Sequence, residues 1–310
     1  MTLTVLFAAS EKDWYIYGSA LRDAFARTGL TVSLVTEARP ETIDYIIYAP
    51  TSDLQDFKPY TRAKAVLSLW AGVEKIVTND TLTMPLARMV DPGMTQSMVE
   101  WVTGHVLRYH LGMDAHIVNP DHVWEPAPTP LAQERTVCIL GLGALGSAVG
   151  EQLLTLNFNV TGWSRGPKAL PGVECFHGAA GLPTALSTAE IVVLLLPDTT
   201  ETENTLNART LAILPRGAFI INPGRGPLID DAALIAALNS GQVGHATLDV
   251  FRVEPLPQDH PFWAHPNVTV TPHIAAATRA TTASNEIAEN IKRCETGAPM
   301  INLVDRERAY

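Results

Sequence analysis

Short apolar runs alternate with helix-period stretches along this chain almost from its first residue. Leu3–Ala8, Val32–Val35, Tyr45–Tyr48 and residues 65–69 are β-branched or aromatic runs that predict strands. Residues 15–27 carry the helical period and stop at Gly29, and residues 97–113 form a long helical stretch. Pro120, Pro126, Pro128 and Pro130 then mark a turn-rich linker. Beyond it the alternation resumes, with strands expected at 136–140, 159–163, 191–196, 218–222, 245–250 and 268–271. Helices are expected at 147–157, 203–213, 229–239 and 278–293. Strands separated by crossover helices define an α/β chain built on parallel sheets.

Composition narrows the picture without changing it. The chain has 310 residues, 46% of them apolar, enough for two domains or one large one with a substantial core. A formal charge of −10 argues against nucleic acid or an anionic membrane as partner, while leaving room for a small anion held by local arginines. No run of about 18 uncharged apolar residues is present, and residues 1–7 read as a strand with no basic region before it. Cys138, Cys175 and Cys294 are odd in number and lack metal-ligand spacing, so no metal site is expected. They read as reduced thiols of a cytoplasmic protein.

The chemistry begins at Thr136-Val137-Cys138-Ile139-Leu140, which runs straight into Gly141-Leu142-Gly143-Ala144-Leu145-Gly146 and then into a helix. A strand, a G-x-G-x-x-G turn and a helix together form a pyrophosphate cradle. Gly141 makes the tight turn, Gly143 lets backbone N–H groups reach the phosphates, and Gly146 lets helix and strand pack closely. The helix N-terminus offers unpaired donors and a positive dipole end. An NAD site would place a carboxylate near the end of the second strand. This chain has Trp163-Ser164-Arg165 there, 19 residues after Gly146, then Lys168 and no carboxylate until Glu174. A guanidinium can hold a 2′-phosphate bidentately and Ser164 can donate to it, so NADP(H) is the favoured cofactor, with NAD possible. Arg165 and Lys168 are also compatible with a solvated loop.

Three more motifs sit at predicted strand ends, where ligands bind in open α/β sheets. Asn222-Pro223-Gly224-Arg225-Gly226 sets a cation between glycines after a buried strand; it suits a bound anion or a solvent-facing turn. Glu254 lies before a proline, which holds it in extended backbone, where it could orient an imidazole or be a plain surface carboxylate. His273 leaves an apolar strand after Pro272 and precedes Ala275 and Ala276, small residues that permit close approach of a planar ring. Alone, such a histidine suits a core role as well as a catalytic one.

Together, in this order and spacing, these motifs resemble the D-isomer-specific 2-hydroxyacid dehydrogenase family, and its short glyoxylate/hydroxypyruvate reductase branch in particular. The resemblance implies two doubly wound parallel-sheet α/β domains, with a Rossmann cofactor domain inserted in a flavodoxin-like substrate domain. The substrate domain would be residues 1–97 and 281–310, the NADP-binding domain residues 98–280, and the assembly a homodimer. It also implies that Arg225 holds the substrate carboxylate and polarises the keto group. His273 would protonate the keto oxygen, and Glu254 would orient His273 and favour its charged form. Asp249 would contact the nicotinamide carboxamide, Leu196-Pro197 would line the adenine and ribose side, and Ala275 would lie against the cofactor. The family presents backbone N–H groups of an Ala-Gly-Val turn to the substrate carboxylate, here Ala71, Gly72 and Val73. Trp70 stands where glycine is common, either shortening the pocket for two- or three-carbon acids or packing in the core. Trp124 falls where related reductases carry a tryptophan that reaches a partner's active site.

The expected activity is therefore NADPH-preferring reduction of small 2-keto acids, glyoxylate or hydroxypyruvate, by hydride transfer with histidine as the acid. Reduction would persist at low pH and fall as the imidazole loses its proton. Two alternatives stand beside it: a dehydrogenase acting on D-lactate or a larger 2-keto acid, and a nucleotide-sensing module with no turnover.

Overall fold

The computed structural model describes residues 2–117, 119, 121–124, 126 and 128–306. The chain divides into two compact units, Met1–Met94 with Ala277–Tyr310, and Thr95–Ala276. Of the linker prolines, Pro120 lies outside the described residues.

The first unit is built on five parallel strands: β1 (Leu3–Ala8), β2 (Val32–Val35), β3 (Tyr45–Tyr48), β4 (Ala65–Ser68) and β5 (Leu86–Ala87). Their order is β2-β1-β3-β4-β5, the flavodoxin-like winding. Successive residues feed opposite faces. Val5, Phe7, Tyr45 and Ile47 pack on one side, Leu6, Ala8, Ile46 and Tyr48 on the other. Helix α1 (Glu11–Thr28) starts at a capping box between Ser10 and Asp13 and ends at Gly29 in left-handed backbone (φ 74°). The short helix α2 spans Glu74–Val77, and α3 (Pro92–His110) runs from this unit into the second.

The second unit carries α4 (Asp114–Ile117) and seven parallel strands. They are β6 (Thr136–Leu140), β7 (Asn159–Ser164), β8 (Glu174–His177), β9 (Ile191–Leu194), β10 (Ala218–Asn222), β11 (Val243–Leu248) and β12 (Val268–Val270). The order β12-β11-β10-β9-β6-β7-β8 contains the 3-2-1-4-5-6 winding of a dinucleotide-binding sheet, with β12 as a seventh strand. Cys138, Leu140, Val192 and Leu194 face one core, and Val137, Ile139, Ile191 and Val193 the other. The crossover helices are α5 (Ala144–Thr155), α6 (Gly178–Ser187), α7 (Ala208–Leu211) and α8 (Asp231–Asn239), and the last helix, α9 (Ala280–Glu295), returns to the first unit, where it packs on α1.

Two departures from the sequence expectation have physical causes. The six-strand sheet becomes seven-stranded because Glu-Cys-Phe-His pairs as edge strand β8. Its ends are exposed and its middle half-buried, so it lacks the apolar run that marked the others. The helix expected at 203–213 shrinks to the single turn α7. Asn204 sits in left-handed backbone (φ 52°), and the hydroxyls of Thr202, Thr205 and Thr210 bond to nearby backbone carbonyls. These local bonds compete with the helical ladder until Asn207 caps the short turn that remains.

Two half-buried histidines give the second unit a pH dependence. Burial, reinforced by Arg108, pushes both His105 and His245 down to about 4, with Asp114 opposing. Their folded values lie below the unfolded value of about 6.5, so their stabilisation is complete above that pH. It is lost as pH falls from 6.5 through 4, at a cost of order 3 kcal/mol for each. The urea midpoint is expected to fall over that window, and His245→Gln to flatten the fall. A midpoint constant from pH 7 to 4 would contradict the assignment.

Candidate active site

Every motif singled out in the second unit lies just beyond the C-terminal end of a strand. The glycine turn follows β6, Arg165 follows β7, and Leu196-Pro197 follow β9. Arg225 follows β10, Glu254 β11, and His273 β12. Because all seven strands are parallel, these loops emerge on one edge of the sheet, where open α/β sheets hold ligands.

The glycine turn has the shape a diphosphate requires. Gly141 has φ 110°, and a Cβ there would stand 2.5 Å from the Leu195 carbonyl oxygen; one on Gly146 would stand 1.9 Å from that of Gly141. Around Gly143, by contrast, there is open space. Gly143 is the N-cap of helix α5 and supplies no side-chain cap, so the first-turn N–H groups are left for a ligand. The residues present therefore fit a dinucleotide. Leu142 is buried in the core beneath, so its contribution to the turn is its backbone, and Leu145 and Ala144 open the helix.

The group at the end of β7 is partly rearranged from the sequence expectation. Ser164 is buried, and its hydroxyl donates to the Gly166 carbonyl at 2.8 Å, shaping the bend rather than standing free for a phosphate. The Trp163 indole likewise donates to Gly178 O at 2.8 Å. Arg165 and Lys168 are exposed on this bend. Glu201, in the loop after β9, is held below the usual carboxylate range by its own backbone N–H, the Thr199 hydroxyl and Arg165. That loop includes Leu196, whose side chain joins the core, and Pro197, whose carbonyl accepts from the Thr202 hydroxyl at 2.6 Å.

At the other strand ends, side chains are aimed by neighbouring backbone. His273 Nδ1 lies 2.8 Å from Glu254 Oε2, and the Phe251 N–H donates to Glu254 Oε1 at 2.9 Å, so both carboxylate oxygens are engaged. The His273 side chain is 52% exposed, which rules out the core role the sequence allowed. His273 adopts φ 54°, a region costly for a side-chain-bearing residue. Its N–H donates to the carbonyls of Asp249 (2.9 Å) and Thr271 (3.1 Å). Asp249, fully buried, accepts from the Thr271 hydroxyl at 2.5 Å and from the N–H groups of Ile274 and Ala275 at 2.9 Å each. Asp249 thus acts in this structure as the anchor of the His273 bend, with Ala275 buried against it. The sequence reading missed this partnership with Thr271.

Arg225 is half-buried and donates to the Gly224 carbonyl at 2.7 Å. Its turn is set by Asn222, which accepts from Gly224 N–H at 3.1 Å and donates to Arg225 O at 2.9 Å. Gly226 rests directly on the backbone of the Glu254 loop, since a Cβ there would meet Phe251 C at 2.0 Å. The structure thus joins His273 to Glu254 by a hydrogen bond and the Arg225 turn to the Glu254 loop by backbone contact.

In the first unit, the turn from Trp70 to Val73 follows β4. Ser68 Oγ accepts from Trp70 N–H at 3.0 Å and donates to Trp70 O at 2.9 Å. Trp70 is 41% exposed, so the core-packing alternative for its indole falls; Ala71 and Gly72 are half-buried and Val73 is buried.

Two doubly wound parallel sheets, a diphosphate-shaped turn and a carboxylate-paired histidine define a nicotinamide-dependent dehydrogenase of hydroxy acids. The profile "D-isomer specific 2-hydroxyacid dehydrogenase, NAD binding domain" matches residues 106–275, and the chain belongs to that family. Glyoxylate/hydroxypyruvate reductase A of Yersinia enterocolitica is 41% identical over 255 residues, covering 80% of this chain and 82% of the relative. The solved D-isomer specific 2-hydroxyacid dehydrogenase of Xanthobacter autotrophicus, in complex with NADPH and MES, is 42% identical over the full length of both chains, with a TM-score of 0.93. The NADPH-dependent glyoxylate/hydroxypyruvate reductase of Sinorhizobium meliloti, in complex with NADP and sulfate, is 32% identical with a TM-score of 0.86, covering 99% of this chain and 100% of that one. Among the described residues no helix is long and apolar enough to cross a membrane.

Proposed function

We propose that this protein reduces glyoxylate and hydroxypyruvate to the corresponding 2-hydroxy acids with NADPH as preferred reductant. The observation that carries the chemistry is the 2.8 Å bond between His273 and Glu254 at the strand edge that also bears the glycine turn. Similarity to reductases of these acids supports the substrate class.

In this reading the second unit is the cofactor domain and the first the substrate domain. The donors at Gly141, Leu142, Gly143, Ala144, Leu145 and Gly146 hold the diphosphate, and Arg165 and Lys168 receive the 2′-phosphate. When bound, the reduced nicotinamide supplies a hydride to the keto carbon. His273 Nε2 delivers a proton to the keto oxygen while Nδ1–H stays hydrogen-bonded to Glu254. Arg225 binds the substrate carboxylate and stabilises negative charge as it builds on the keto oxygen. The N–H groups of Ala71, Gly72 and Val73 are further carboxylate donors, and the exposed Trp70 indole limits substrate length. A homodimer and a cytoplasmic setting complete the proposal. The first is supported by exposed Ile117, Val123, Trp124 and Leu131, the second by three free cysteines.

A panel of 2-keto acids, pyruvate and longer acids included, assayed with NADPH and NADH tests the activity. Glyoxylate and hydroxypyruvate should give the highest kcat/KM, with NADPH ahead of NADH. No turnover of any acid would leave a nucleotide-binding module instead. Arg165→Ala should raise the KM for NADPH about 10- to 100-fold, the worth of a charge-assisted pair at about 1.5–3 kcal/mol. It should leave that for NADH within about twofold; equal losses would overturn the phosphate assignment.

A further inference from the structure

The Arg252 side chain, two residues before Glu254, ties together segments that the reaction needs in fixed relation. It is 32% exposed, and its guanidinium donates to the Ile229 carbonyl at 2.8 Å, the Pro227 carbonyl at 3.3 Å, Glu203 Oε1 at 3.3 Å and Asn204 Oδ1. Asp231, at the start of α8, lies 4.0 Å from its Nε and 3.6 Å from His260 Nε2. Pro227 lies within the 3-10 turn Gly226–Leu228 that begins directly after Arg225, and Ile229 caps its end. Glu203 and Asn204 belong to the loop after β9, and the Asn204 N–H bonds to the same Pro227 carbonyl at 2.8 Å. The backbone of Arg252 is itself the floor under Gly226, because a Cβ on that glycine would stand 2.3 Å from Arg252 N.

We infer that Arg252 is a positioning residue for the reduction, fixing the Arg225 turn against the loop that carries Glu254 and, through it, His273. A planar fork suits this task, since it meets carbonyls and carboxylates from several directions at once, which an ammonium does not. The two carboxylates, Glu203 and Asp231, balance its charge without holding the turn themselves. If the fork is removed, the Arg225 turn keeps its Asn222 bonds but loses two carbonyl anchors to the Glu254 loop. A displacement near 1 Å between catalytic groups costs up to about 10²-fold in rate. The inference rests on the proposed roles of Arg225, Glu254 and His273.

The test is a double-mutant cycle on the full-length protein with glyoxylate and NADPH. Arg252→Ala is expected to lower kcat/KM for glyoxylate 10- to 100-fold, with kcat falling and the keto-acid KM rising. The dissociation constant for NADPH, read by nicotinamide fluorescence, should stay within threefold. Arg252→Lys should recover part of the loss, and serves for the cycle if the alanine variant does not fold. In an Arg225→Gln background the same Arg252 substitution should cost less than threefold, because the group it positions is gone. Equal losses in both backgrounds, or a parallel loss of NADPH binding, would overturn the inference while leaving the Arg225 reading intact. An Arg225→Gln variant with near wild-type kcat/KM would instead overturn that reading.

Discussion

His273→Asn should lower kcat for glyoxylate reduction by about 10²- to 10⁴-fold, the usual worth of a positioned general acid. Asparagine is the right probe because of the backbone. His273 sits at φ 54°, and asparagine tolerates left-handed conformations better than any other non-glycine residue of similar shape. The Asp249 bonds that hold the bend use only backbone N–H groups and the Thr271 hydroxyl, so the substitution leaves them in place. NADPH binding and thermal stability should therefore stay near wild type while turnover collapses. A variant that keeps more than a tenth of the wild-type rate would remove His273 from the mechanism.

Arg225→Gln should be the most damaging change in kcat/KM. Loss of one preorganised donor to a developing oxyanion costs about 10²- to 10³-fold. Loss of a charge-assisted bond to the substrate carboxylate costs a further ~1.5–3 kcal/mol, close to tenfold or more. The combined expectation is a fall of at least about 10³-fold, shared between kcat and the keto-acid KM. Arg225→Lys keeps the charge but not the fork and should recover only a minor part. Steady-state kinetics in glyoxylate at saturating NADPH measures both; a kcat/KM within tenfold of wild type for the glutamine variant would refute the assignment.

Where burial on both faces forces a continuous apolar run, as in β3, β6, β9 and β10, the strand was plain from residue type alone. Edge strand β8 was not, because half of its surface faces solvent and it needs no such run. The loop after β9 carries threonines and asparagines at helix-compatible spacing, which predicts a helix the structure does not form there. Their hydroxyl and amide bonds to local backbone, which decide the matter, leave no periodic trace. At the site, Arg225, Glu254 and His273 stood out through their flanking glycines and prolines. Of the groups that aim them, Asp249 is marked in the sequence only by the family resemblance, as a nicotinamide contact, and its bond to Thr271 leaves no sequence signal. Asp249 and Thr271 meet from different strand ends, and Arg252 reads as an ordinary surface cation until its carbonyl partners, some 23 to 25 residues away, are in view.

The order of strands β10, β11 and β12 has a further consequence. Arg225, Glu254 and His273 each hang from one of three consecutive rails, and adjacent rails in any sheet are about 4.8 Å apart. The gauge across the outer two is therefore roughly 10 Å, set by main-chain hydrogen bonding rather than by any side chain. Insertions elsewhere in the chain leave that gauge alone, so the spacing of these three loops can stay constant while the rest of the fold varies.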